Sequence, residues 1–126
     1  MIVHITNDLM MSGTVRSDAA ASQAVVRFVQ SSAQIQQALA SQSVRLIFVD
    51  LQMPGLDLQA FSRAILATDA SSRPDVVMYA QHVNVEILEN ARQSELGEVM
   101  TRGQFVKSVR QILADHTHKT ANRSAD

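Results

Sequence analysis

Cysteine is missing from all 126 residues, which excludes a disulfide scaffold, zinc–thiolate and iron–sulfur centres, and thiol catalysis. Neither sign of charge dominates. Lys and Arg total 11 against 12 Asp and Glu, a net charge of -1, so no field strong enough to gather phosphate backbones is expected and nucleic acid is not an expected partner. The N-terminus has no basic stretch leading into an apolar core, and no run approaches the ~18 apolar residues of a membrane span. The expectation is a soluble, cytoplasmic protein with no membrane partner. A glycine-rich phosphate loop is also absent, since the chain has only four glycines and none are clustered.

What is present is enough for one core. With 46% hydrophobic residues, a chain of this length forms one domain that buries roughly two-thirds of the surface its unfolded form exposes. Five strand-sized apolar runs recur: Ile2 to Ile5, Ala24 to Val29, Val44 to Leu51, Val76 to Tyr79 and Glu98 to Thr101. Continuous runs such as Leu46 to Val49 suit parallel strands covered on both faces. The last run is the weakest, with one β-branched apolar residue. Between and after the runs lie helical spacings: Ile35 and Leu39, Phe61 and Ile65, Ile87 and Ala91, and Phe105, Val109, Ile112 and Leu113. Asp8, Ser31 or Ser32, Asp57 and Asn84 are residue types that accept hydrogen bonds from a first helical turn.

The pattern predicts five β-α units: an α/β fold with a five-stranded parallel sheet and helices on both faces. The first helix, within Leu9 to Ser22, is opposed by Ser12, Gly13, Thr14 and Ser17, which lower helix propensity, and favoured by Ala19 to Ala21. Met10 and Met11 are assigned to the core. The domain is set at residues 1–114. From 115 to 126 the chain has almost nothing to bury, and a polar, disordered tail is expected, either a terminus or the start of a linker.

In open parallel sheets, ligands bind beyond the strand C-termini. Here those positions are Thr6, Asn7 and Asp8, then Asp50, then Ala80 and Gln81, then Arg102. Asp50 is the central candidate, an ionisable residue at the mouth of the most hydrophobic strand. Pro54-Gly55 forces a turn that fixes the loop beside it. The competing reading is that Asp50 simply ends the strand and accepts from loop amides.

The string Asp50-Leu51-Gln52-Met53-Pro54-Gly55-Leu56-Asp57 resembles the phosphoacceptor loop of response-regulator receiver domains, and the five β-α units follow that family's order. The resemblance implies a flavodoxin-like fold that accepts a phosphoryl group from a histidine kinase beside a bound Mg²⁺. It makes Asp50 the phosphoacceptor candidate and gives the Gln52 carbonyl a metal-ligand position.

Elsewhere the family pattern is broken. Where receivers carry two acidic residues after the first strand, this chain has Thr6 and Asn7; losing two anions should weaken a hard cation's binding, so the implied set of Asn7, Asp8, Asp50 and Gln52 is a weak one for Mg²⁺. Asp8 serves equally well as the cap of the first helix. Ala80 stands where the family has a Ser or Thr hydroxyl, and neither Tyr79 nor Gln81 is a good substitute. Val99 stands where many members carry a switching aromatic ring. Arg102 replaces the family's Lys, keeping the charge that contacts a phosphoryl group. An Asp50–Arg102 ion pair is a further expectation.

These departures predict a degenerate receiver, not an enzyme, that acts through protein–protein contact, because phosphoryl transfer without a full metal site loses the charge neutralisation it needs. The alternative is a working phosphoacceptor, phosphorylated on Asp50 in a two-component phosphorelay. A phosphotransferase or hydrolase using Asp50 as nucleophile is disfavoured, because Gln52 stands where an Asp-x-Asp pair would be completed. Expected partners are a histidine kinase or other signalling protein. A second copy is also considered, through the face from about Asn84 to Leu113, where Glu86, Glu89 and Glu95 oppose Arg92, Lys107 and Arg110; ordinary solvated surface is the competing reading. His116 and His118 lack further ligands and are not expected to bind metal, and His4 and His82 are expected to pack or face solvent.

Overall fold

Five parallel strands form one sheet in the order β2-β1-β3-β4-β5, comprising β1 (Ile2–Ile5), β2 (Val26–Val29), β3 (Leu46–Asp50), β4 (Asp75–Ala80) and β5 (Glu98–Thr101). The helices are α1 (Leu9–Ala21), α2 (Ser32–Ala40), α3 (Leu58–Leu66), α4 (Val85–Gln93) and α5 (Arg102–Ala125). The computed structural model describes residues 1–40 and 43–125, with the side chains of 32 and 118–125 excepted. His118 therefore lies outside the described side chains.

The expected five β-α units are all present. β1 and β5 coincide with the apolar runs that predict them, while the second and third runs overshoot their strands by two residues at the start. β5 is one edge of the sheet and, Met100 apart, its residues are exposed or only partly covered, which accounts for its thin apolar pattern.

Alternation divides the interior. Val3, Ile5, Ile47, Val49, Val76 and Met78 pack beneath α2, α3 and α4 with Ile35, Phe61, Ile65 and Leu88. Ile2, Leu46, Phe48, Val77, Tyr79 and Met100 face α1 and α5, meeting Met11, Val15, Phe105, Val109 and Leu113. Both faces are covered, as the continuous runs require.

The doubtful first helix spans 13 residues. Its poor propensity is overcome locally and by packing. The Asp8 side chain accepts from the Met10 and Met11 N–H groups, and the Ser12 and Thr14 hydroxyls bond back to the Asp8 and Met10 carbonyls. Met11, Val15 and Ala19 recur every fourth residue and are buried on the α5 side. Met10 departs from its core assignment: it is 81% exposed, because the helical repeat that buries Met11 turns its neighbour outward.

The chain does not break at Ala114. α5 continues through residues 115–117, where the Thr117 hydroxyl bonds the Leu113 carbonyl at 2.9 Å. At its start, Thr101 and Gln104 form a reciprocal cap: the Gln104 N–H donates to Thr101 Oγ1 (3.2 Å) and Gln104 Oε1 accepts from the Thr101 N–H (2.9 Å).

Candidate functional site

The order β2-β1-β3-β4-β5 reverses direction between β1 and β3, and a crevice opens beyond the C-terminal ends of those two strands. Register then decides which side chains meet there. His4 pairs with Phe48 and Ile5 with Val49. One step further, on the same pleat face as His4, Thr6 stands beside Asp50. The Thr6 hydroxyl donates to Asp50 Oδ2 at 2.7 Å, and both residues are buried.

The other carboxylate oxygen is engaged as well. Asp50 Oδ1 accepts from the Gln52 N–H at 3.0 Å. The Gln52 side chain reaches across the mouth, its Oε1 accepting from the Gln81 N–H at 2.7 Å, so one residue joins the β3 and β4 loops. Behind it, the Met53 N–H meets the Asp50 carbonyl, and Met53-Pro54-Gly55-Leu56 closes as a turn with Gly55 at φ 82°. Pro then Gly at its two central positions gives the sequence signature of a type II turn. The turn delivers Asp57 to the start of α3, where its carboxylate caps the Ala60 N–H.

Asp8 is the second carboxylate at the mouth, and both of its oxygens are engaged. Oδ1 accepts from the Met10 and Met11 N–H groups at 3.0 and 3.1 Å; Oδ2 pairs with Arg102 Nη2 at 2.7 Å. Its carboxyl is held below the usual carboxylate range chiefly by the Met11 N–H, against an opposing effect of burial, and further by the Arg102 hydrogen bond and charge. Its own N–H donates to Thr6 Oγ1 at 3.0 Å. Thr6 thus links the two acids.

The expected Asp50–Arg102 pair is therefore corrected: the guanidinium is engaged by Asp8. Arg102 is the first residue of α5, not a strand residue, and its side chain meets the acid that caps α1. Asp50 already has its donors from Thr6 and Gln52. Asn7 is exposed at the rim. Ala80 is buried and packs with the aliphatic face, offering a methyl group where a hydroxyl would be needed, and Val99, in register with Met78, is half-buried against the same cluster.

The donors do not fit a resident Mg²⁺ in this arrangement. A hard cation needs carboxylate and carbonyl oxygens free to face it. Asp50 is the one carboxylate that keeps acceptor sites beside its Thr6 and Gln52 donors, Asp8 is engaged by an N-cap and an arginine, and the remaining candidates, the Asn7 amide and the Gln52 carbonyl, carry no charge, so a second anionic ligand is lacking. Among the described residues no group of three His, Asp or Glu side chains is placed to hold a metal.

Beneath the mouth lies a polar feature that sequence reading missed. His4 Nε2 and the Tyr79 hydroxyl lie 2.7 Å apart in the interior, ringed by Phe28, Phe48 and Phe105, with Tyr79 stacked on Phe105 at 4.2 Å. Burial lowers the His4 pKa to about 4 against a smaller upward pull from Asp8, so the imidazole is neutral at pH 7. Burial, then the Asp50 charge, pushes the Tyr79 phenol well above its ordinary value. His4 Nδ1 is buried without a partner among the described residues. The signal was available: Tyr79 is in register with Asp50, so both belong to the same pleat face.

No family model and no curated protein matches the chain. Solved structures do. The receiver domain of a sensor histidine kinase from Pseudomonas aeruginosa PAO1, solved with magnesium coordinated in its active-site cleft, superposes with a TM-score of 0.75 at 16% identity, covering 93% of this chain and 96% of that one. A response-regulator receiver domain from Bermanella marisrubri gives 0.74 at 14% identity over 90% and 94% of the two chains. NtrX from Brucella abortus gives 0.71 at 17% identity over 98% of this chain, which spans only 28% of that longer protein. Strand order, helix placement and these superpositions lead to one conclusion: the chain has the fold of a response-regulator receiver domain.

Proposed function

We propose that the protein is a signal-transduction module of the two-component type that works through protein–protein contact, with its phosphoacceptor loop held by internal hydrogen bonds instead of being switched by phosphorylation. The observation that carries this reading is the Thr6–Asp50 bond at 2.7 Å together with the Asp8–Arg102 pair at 2.7 Å. An in-line phosphoryl transfer needs a nucleophilic carboxylate oxygen, a divalent ion to neutralise developing charge and a donor for the transferred group. Each Asp50 oxygen accepts a hydrogen bond from the protein, which lowers its nucleophilicity, the second acid is paired, and Ala80 supplies no hydroxyl. The function left to such a module is recognition by a histidine kinase or another signalling protein.

A second copy of the chain is a further candidate partner through Asn84 to Leu113. Exposed Val85, Ile87 and Val106 favour a contact there. The charge pattern on that face is partly spent within the chain, because Arg92 pairs with Glu89 and Arg110 with Asp18 of α1, both at 3.6 Å. Apolar contact, not charge crossing, would then drive association.

Intact-mass measurement after incubation with Mg²⁺ and acetyl phosphate tests the main reading. The expected result is no stable adduct, with partner binding unchanged in Asp50→Asn. A phosphoryl adduct on Asp50, abolished in Asp50→Asn, would establish the alternative of a working phosphoacceptor.

A further inference from the structure

We infer that Arg102 is a built-in replacement for the divalent cation, engaging the second acid at the mouth of the sheet and making that mouth indifferent to Mg²⁺. This deepens the reading above and rests on it.

The argument starts from charge. Two acids stand at the mouth, Asp8 in the loop after β1 and Asp50 at the end of β3, and one hydroxyl links the backbone of the first to the carboxylate of the second: the Asp8 N–H donates to Thr6 Oγ1, and the Thr6 hydroxyl donates to Asp50 Oδ2. Two neighbouring anions raise each other's energy unless a cation lies close to them. A mobile ion does this only while bound. An arginine does it always, because its guanidinium stays charged at any physiological pH and is tethered to the fold.

Its placement supports the same role. Arg102 occupies the first position of α5, where the helix dipole disfavours a cation. The side chain instead reaches to Asp8, whose own position caps α1. One ion pair thereby joins the starts of α1 and α5, and through Thr6 it joins the end of β3. The reciprocal cap formed by Thr101 and Gln104 fixes the backbone from which Arg102 extends. Arg102 is a positioning residue in this account: it acts on Asp50 only through Asp8 and Thr6.

The consequence is directional. Mg²⁺ approaching the mouth meets a fixed positive charge and an acid already paired. Removing that charge while keeping a polar side chain should release Asp8 and leave two unneutralised carboxylates at the mouth.

The test is a titration of the full chain with millimolar Mg²⁺, following the amide ¹H–¹⁵N shifts of Asp8, Leu51 and Gln52. Wild type and Arg102→Lys, which keeps the charge, should show no saturable change. Arg102→Gln should bind Mg²⁺ with at least about tenfold higher affinity than wild type, the scale on which a neighbour of a metal site alters affinity, and Arg102→Gln with Asp50→Asn should lose the gain. Thermal unfolding without metal checks that each variant is folded. A saturable response in wild type matching that of Arg102→Gln, or silence in Arg102→Gln, would overturn the inference. These outcomes are separable from those of the functional reading: an Asp50 adduct formed without Mg²⁺ defeats that reading alone, whereas Mg²⁺ binding by wild type without an adduct defeats only the replacement role of Arg102.

Discussion

Among the described residues, the core under α2, α3 and α4 buries apolar side chains alone, whereas the face under α1 and α5 takes in His4, Thr6 and Asp50, and α1 itself buries Ser12. The same five strands supply both faces, so the difference lies entirely in alternate residues. The aliphatic face needs only volume and shape, and tolerates conservative change. The other must satisfy every polar group it hides, because an unpaired donor or acceptor in the interior costs about 1–3 kcal/mol. The chemistry of the molecule and its most demanding packing therefore share a face, with the His4–Tyr79 pair directly below the Asp50 mouth.

Substitutions can break this contrast. The largest effect is expected from Phe105→Ala, which removes the ring stacked on Tyr79 and set edge-on to Phe48; denaturant unfolding should show a loss of about 4 kcal/mol, against about 1 kcal/mol for Ile65→Val on the aliphatic face. Next is pH. His4 is depressed from 6.5 to about 4 in the folded protein, so between those values the unfolded chain binds a proton that the native state does not. Its contribution is complete above pH 6.5 and is lost as pH falls, by on the order of 3 kcal/mol at pH 4. Stability curves of wild type should carry this slope, and those of His4→Leu should lack it.

Smaller effects sharpen the picture. Tyr79→Phe keeps the stack on Phe105 and strands His4 Nε2, at an expected cost of about 2 kcal/mol by equilibrium unfolding. Asp8→Ala removes both the α1 cap and a partly exposed ion pair, costing about 1–2 kcal/mol, while Asp8→Asn keeps a capping oxygen and should lose no more than about half of that.

Much of the architecture was legible because apolar runs of strand length are an unambiguous signal once turns separate them. β1 and β5 follow directly. α1 was harder to read: its own residues are poor helix formers, and its stability comes from the Asp8 cap and from α5, which is distant in sequence. Asp50 could be found from its place after Leu46 to Val49. Thr6 was in view at the end of the first run, but its pairing with Asp50 follows only from the parallel register of β1 and β3. The Thr101-Arg102-Gly103-Gln104 cap is a readable local pattern that was missed. The Asp8–Arg102 pair was not legible. It depends on which of two nearby carboxylates a long side chain reaches, and that choice follows from Asp50 having already taken its donors from Thr6 and Gln52.

The account stands on Asp50 being satisfied by the protein itself. The most direct measurement is an amide ¹H–¹⁵N spectrum of wild type with Mg²⁺ and beryllofluoride, watching Gln52 and Asp8, whose N–H groups bond Asp50 Oδ1 and Thr6 Oγ1. Both resonances are predicted to stay where they are. A saturable shift at both, absent in Asp50→Asn, would contradict the account.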